Sequence, residues 1–273
     1  MIVLPCFRSR IAFSPLRAAE ADQSRNDGMI EGLRRGKPAF LASVTNANEA
    51  EIALQGGADI IDCKDPASGA LGALPLLTVR DIVSRVNGRA SVSATVGDLP
   101  SDPEVMRAAA IAMSETGVDV VKIGFFGEDD PRAAIAALGN VRSSSTKLFA
   151  VLMADRAPDF AVLPALRDAG FSGVMLDTAD KGAGSLTAVL PLRRLTEFIL
   201  AARAHDLFTG LAGSLKESDI AVLASLEPDM LGFRGALCLA GRKGAIEADR
   251  VIAVRRAIDN ARQLNVAPET SVA

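Results

Sequence analysis

The sequence predicts an α/β fold, a single (β/α)8 TIM barrel behind an N-terminal extension, on three observations. From Ala39 onward, short continuous apolar runs alternate with helical segments in strict order, eight of each. Such runs are what strands require when both faces are covered. Glycines close several helices, as in GGADI, TGVDV and AGFSG, where the turn after a helix favours them. Eight strand–helix units in roughly 230 residues match the usual size of a closed barrel. An open doubly wound sheet is the competing architecture. It normally carries a glycine-rich phosphate turn after its first strand, and SVTNANEAE is not one.

The elements read as follows. FLASV is the first strand and NANEAEIALQGG its helix, ended by paired glycines. ADIIDCK is the second strand; the amphipathic LLTVRDIVSRV follows after a loop, SGALGALP. ASVSATVG and VDVVKIG are strands three and four, separated by the helix PEVMRAAAIAMSETG. The short helix DPRAAIAALGN leads to strand KLFAVLM, and DFAVLPALRDAG leads to SGVMLDT. The long helix LPLRRLTEFILAARAHD precedes LFTGLAG, and SDIAVLASLE precedes PDMLGFRG. AIEADRVIAVRRAIDNARQL closes the ring. Residues 38–265 therefore form the barrel domain. Residues 1–37 read as a poorly ordered extension without the apolar centre of a signal peptide, and 266–273 as a tail. Met29 is an alternative start, since the ordered pattern begins soon after it.

Composition narrows the function. A formal net charge of −3 leaves no general footprint for nucleic acid, and the absence of Trp and Tyr removes most stacking surfaces. No apolar run reaches membrane-spanning length. The partner expected is a small molecule, with neither nucleic acid nor membrane; homo-oligomerisation stays open. Cys6, Cys63 and Cys238 form no CxxC pair or zinc pattern, and so sparse a set fits a reducing cytoplasm. Cys63 reads as a packed hydrophobe. The single histidine, His205, reads as a helix-end residue, which removes most zinc- and serine-hydrolase chemistry.

The lysines carry the functional signal. The chain has 23 arginines and only seven lysines, yet Lys64, Lys122, Lys181 and Lys216 stand at or beyond strand ends, where a barrel builds its active site. Arginine replaces lysine on most surfaces but cannot lose its proton near neutral pH. An amine can form a Schiff base, accept a proton or hold a phosphate. Asp62 and Lys64 are two apart, so in an extended segment they share a side; the neighbouring carboxylate holds the amine charged, while burial and nearby lysines act against it. Lys122, in an apolar run before glycine, reads as a proton acceptor facing the axis. Asp177 can orient an amine or relay a proton beside Lys181 in its glycine-rich loop. After strand seven, the N–H groups of Gly213 and Ser214 can cradle a phosphate with Lys216, and after strand eight Arg234, Gly235 and Ala236 can complete that site. Thr95, Gly97 and Asp98 read either as hydroxyl-orienting groups or, with more weight, as a turn.

DIIDCKDPASGALGA, SATVGD, VKIG, LDTADKG, AGSLK and GFRGALC, in this order, resemble the (5-formylfuran-3-yl)methyl phosphate synthase family, over about residues 39–262. The resemblance implies a lyase, a carbon–oxygen lyase acting on phosphates. It condenses two glyceraldehyde 3-phosphate molecules with loss of phosphate and water, in methanofuran or methylofuran biosynthesis. It implies Lys64 as the Schiff-base lysine, Lys122 as proton acceptor, and Asp62, Asp177 and Lys181 in support. No metal or organic cofactor is implied. Read from the residues alone, a Schiff-base sugar-phosphate aldolase and a non-catalytic phosphate-binding barrel stay open.

Overall fold

The computed structural model describes residues 38–127, 130–141 and 146–265. The expected extension over 1–37 and the tail over 266–273 lie outside these residues. Eight parallel strands close into a barrel in chain order: β1 Ala39–Val44, β2 Ile60–Cys63, β3 Ser91–Thr95, β4 Val120–Phe125, β5 Lys147–Met153, β6 Gly173–Asp177, β7 Phe208–Leu211 and β8 Met230–Phe233. Ring closure comes from β8 pairing back onto β1, with Leu41 opposite Gly232.

The surrounding helices are α1 Ala47–Gln55, α2 Leu76–Val86, α3 Pro103–Ser114, α4 Arg132–Leu138, α5 Leu163–Asp168, α6 Leu186–Val189, α7 Leu192–Ala204, α8 Ile220–Ala224 and α9 Ala248–Asn265. Their starts follow local chemistry. The Asn46 side chain accepts the N–H groups of Asn48 and Glu49 at the head of α1. Asp102 does the same for α3, where Pro103 fills the first position that needs no N–H donor. Helix α7 turns Leu195, Phe198, Ile199 and Ala202 onto the sheet, the three-and-four spacing of one helical face.

The sixth helical segment, expected as one long helix from Leu190, is α7, and an unexpected short helix, α6, precedes it. Leu190 and Pro191 adopt extended backbone and separate α6 from α7. The ring of Pro191 crowds its predecessor out of the helical region. The described residues thus hold nine α-helices instead of eight.

Two apolar layers result from the two-residue period of the strands. The outer layer lies between strands and helices. The inner one fills the barrel axis with Ile60, Phe149, Val151, Met175, Phe208 and Met230. Phe149 and Phe208 meet there with ring centroids 5.7 Å apart. The charged side chains Asp62, Lys122 and Asp177 enter this interior toward the carboxyl ends of the strands, so the apolar packing forms a floor beneath the site.

Candidate active site

Strand alternation sends Ser43, Asp62, Lys64, Lys122 and Asp177 to the lumen, where they line one cavity of about 490 Å³. This lies within the range of small-molecule sites, about 300–1,000 Å³. Lys181, Gly213, Ser214, Lys216, Arg234, Gly235 and Ala236 line the same cavity. The structure therefore brings together every residue singled out from the lysine pattern and the two glycine turns.

The ion pairs cross the barrel in a way that the sequence did not predict. The carboxylate beside Lys64 is Asp177, not Asp62: Lys64 Nζ lies 2.9 Å from Asp177 Oδ2. Lys181 Nζ lies 2.5 Å from Oδ1 of the same carboxylate, which also accepts the Thr178 N–H at 2.8 Å. Asp62 pairs instead with Lys122, at 2.7 Å. Its oxygens also accept the hydroxyls of Ser43 at 2.9 Å and Ser93 at 2.7 Å. Strand curvature brings β4 and β6 side chains to β2, a proximity that spacing along the chain cannot reveal.

Burial sets the electrostatics. Asp62 is fully buried, and Lys122 and Asp177 are 2% and 3% exposed. Burial pushes the Lys122 ammonium below its ordinary range, although Asp62 pulls the other way. Lys181 is also lowered, again chiefly by burial, with Asp177 opposing and Lys64 assisting. For Asp177 burial acts upward, but Lys64 and Lys181 together outweigh it and hold the carboxyl below its usual value. Burial thus lowers the proton affinity of both amines, while each keeps a carboxylate at hydrogen-bond distance, Asp62 for Lys122 and Asp177 for Lys181.

The rim is built from backbone. Gly213 and Ser214 both have positive φ, 111° and 47°; a Cβ on Gly213 would meet Thr178 Cγ2 at 2.8 Å, so only glycine fits. No protein acceptor among the described residues takes the N–H groups of Gly213, Ser214, Gly235 or Ala236. Consecutive donors of this kind form an anion nest. Lys216 is exposed at its edge.

Arg234 plays a different part from the one expected. Nε donates to Arg242 O, Nη1 to Ser43 O and Glu49 Oε2, and Nη2 to Glu49 Oε1 and Gly244 O. All five donors of the guanidinium are engaged by protein. Its side chain anchors the β8 loop, leaving the backbone of Gly235 and Ala236 to face the cavity. Glu49 had no sequence signal beyond an acidic first helical turn. Ser43 and Ser93 sat unremarked within apolar strand runs, although the two-residue inward period includes both.

Thr95, Gly97 and Asp98 do not line the cavity. Asp98 accepts the N–H groups of Ala70 and Leu71 at 2.8 and 2.6 Å, and Thr95 Oγ1 donates to Gly72 O. Asp98 and Thr95 thereby fasten the loop after β2. Cys63 and Cys238 are free and buried, and burial raises both thiols. Among the described residues, no cluster of His, Cys, Asp or Glu has the form of a metal site, and no helix is long and apolar enough to cross a membrane.

Seven cationic side chains and three carboxylates line the cavity, on a chain whose formal net charge is −3. An anionic ligand is what such a surface accommodates. Comparison with known proteins agrees with this chemistry: the 4-HFC-P synthase family model matches residues 40–255. The chain belongs to the 4-HFC-P synthase family. A protein of Methylorubrum extorquens, provisionally named (5-formylfuran-3-yl)methyl phosphate synthase, is 45% identical over 81% of this chain and 92% of its own length. The Methanosarcina acetivorans (5-formylfuran-3-yl)methyl phosphate synthase is 35% identical over 78% of this chain and 95% of its own. Among solved structures, the phosphoribosyl anthranilate isomerase of Thermus thermophilus superposes with a TM-score of 0.59 at 17% identity, covering 81% of this chain and 98% of that one. That likeness shows the barrel fold. As a member of a synthase family, this 4-HFC-P synthase homologue takes a small-molecule substrate.

Proposed function

We propose that this barrel is a (5-formylfuran-3-yl)methyl phosphate synthase. It joins two molecules of glyceraldehyde 3-phosphate through a lysine Schiff base, with loss of phosphate and water, in the synthesis of the furan of methanofuran or methylofuran. The observation that carries the reading is the convergence of three buried or half-buried lysines on two carboxylates, Lys64 and Lys181 on Asp177 and Lys122 on Asp62.

Lys64 is the nucleophile. It gives up a proton within the Asp177–Lys181 group, attacks the substrate carbonyl and loses water to form an iminium. That cation draws electrons from the neighbouring carbon, whose proton passes to the amine of Lys122, a group whose proton affinity burial lowers. The resulting enamine attacks the aldehyde of the second triose phosphate and forms the carbon–carbon bond. Breaking a carbon–oxygen bond then releases phosphate with its electron pair; a substrate hydroxyl closes the ring on the iminium carbon and expels Lys64 as its free amine, and loss of water completes the aromatic ring. This makes the enzyme a carbon–oxygen lyase acting on phosphates. The backbone nest of the β7 and β8 loops, with Lys216, holds one phosphoryl group throughout. A reducing cytoplasm suits the unpaired Cys63 and Cys238.

The same amines would serve a Schiff-base sugar-phosphate aldolase, but the family match over most of the barrel supports the synthase. Incubation of purified protein with glyceraldehyde 3-phosphate tests the proposal. Furan absorbance and inorganic phosphate rising in equal amounts is the expected result. Carbon–carbon chemistry without phosphate release would indicate the aldolase. Absence of both turnover and a borohydride-reducible adduct would leave only phosphate binding.

A further inference from the structure

A condensation of two triose phosphates brings two phosphoryl dianions into one cavity, where mutual repulsion keeps them from sharing a single nest. The Gly213–Ser214 and Gly235–Ala236 donors with Lys216 account for one. Arg242 and Arg250 are the cations left over; of the two, Arg242 is hydrogen-bonded to the loop that follows Lys64. It lines the cavity, yet no carboxylate among the described residues pairs with it, in contrast to Arg234 with Glu49 and Lys64 with Asp177. Among the described residues one of its donors is engaged: Nη2 donates to Gly69 O at 2.7 Å. Burial lowers its proton affinity, with Asp177 opposing; this half-buried guanidinium stands within the field of the catalytic carboxylate.

Its position is fixed at both ends. The Arg242 carbonyl accepts Arg234 Nε at 2.9 Å, so the buried Glu49–Arg234 pair sets its backbone. The Gly69 carbonyl belongs to the loop that follows Lys64, clamped by Asp98 through Ala70 and Leu71. Gly69 has a φ of +112°, and a Cβ there would lie 2.2 Å from Asp98 Oδ2. The guanidinium therefore reaches from the β8 loop toward the loop that follows Lys64.

We propose that Arg242 binds the phosphoryl group of the second triose phosphate, the one that meets the enamine on Lys64. This inference rests on the synthase reading. A guanidinium presents a planar fork that matches phosphate oxygens, and the unengaged edge of Arg242 supplies it. Binding of the first triose, and imine formation, do not require this residue; delivery of the second does.

The test compares wild type, Arg242→Gln and Arg242→Lys, each incubated with glyceraldehyde 3-phosphate. Borohydride trapping read by intact mass reports the single-triose adduct on Lys64, and furan absorbance reports completed condensation. In Arg242→Gln the adduct forms to within about twofold of wild type, while furan production falls on the order of 10²-fold, as expected for loss of a charged contact. The rate also keeps curving upward at triose concentrations that saturate wild type. Arg242→Lys restores part of the loss, since it keeps a point charge without the fork. Adduct and furan falling in parallel, or furan formation unchanged, would overturn the assignment to Arg242 while leaving the synthase intact. No adduct and no furan in wild type would overturn the synthase reading itself, and this inference with it.

Discussion

Removing the carboxylate of Glu49 should destabilise the barrel and disable the site in one step. Glu49 and Arg234 meet at 2.6 Å with each side chain 8% exposed. Glu49 also accepts the Thr45 N–H, the Thr45 hydroxyl and the Ile246 N–H. Breaking a buried pair by deleting one partner costs about 3–5 kcal/mol, because the remaining charge stays desolvated and unpaired. For a domain of this size about 1 kcal/mol moves the midpoint by about 2–4 °C, so Glu49→Ala should lower it by roughly 6–20 °C. Burial alone would raise the Glu49 pKa, but the Arg234 and Thr45 contacts outweigh it and bring it below the ordinary 4.5. A lowered carboxyl pKa means that this stabilisation is fully present above about 4.5 and drains away as pH falls through the folded value. Urea unfolding followed by circular dichroism, from neutral pH into this acid window, measures both effects. The double variant Glu49→Leu with Arg234→Met should recover part of the loss, since no orphan charge remains. If Glu49→Ala stays within about 1 kcal/mol of wild type at neutral pH, the pair is not the buried anchor described here.

Other expectations concern the chemistry. Lys64→Arg should reduce turnover to background while leaving the circular dichroism spectrum and midpoint near wild type, since charge remains but no imine can form; near-normal furan production would contradict the Schiff-base role. If the Lys122 amine takes the proton, kcat/KM should rise with pH through an ionisation below the ordinary lysine value of 10.5, and Lys122→Arg should remove that limb; a profile unchanged in the variant would place the proton acceptor elsewhere. Lys216→Ala should raise KM by about 10- to 100-fold, the effect of one charge-assisted hydrogen bond, with a smaller change in kcat; an unaltered KM would move the phosphate away from the β7 loop.

How much of this was legible in the chain depends on the range of the interaction. Apolar runs and helix-closing glycines reveal the ring of strands because each is local, and strand alternation places Asp62, Lys64 and Lys122 at the carboxyl ends. Partnership was not legible. The contact between Lys64 and Asp177 spans 113 positions, so the neighbour two residues away looked like the natural carboxylate and was not. Arg234 misled for a related reason: a positive residue in a glycine turn resembles a phosphate ligand until Glu49, 185 positions earlier, is seen to occupy it. Arg242 carried no signal in the sequence, since what sets it apart is that no carboxylate among the described residues pairs with it, a property that no local pattern encodes.

Asp62 has a wider consequence. From β2 its two oxygens reach Ser43 on β1, Ser93 on β3 and Lys122 on β4. One carboxylate thus rivets four consecutive staves of the barrel with the atoms that hold the proposed proton acceptor. A lineage drifting toward new chemistry could not exchange Lys122 alone without stranding that carboxylate in a dry interior, nor discard Asp62 without loosening half the wall. Change at this position is expected to arrive in matched sets, so redesigned variants should be built as coupled substitutions from the start.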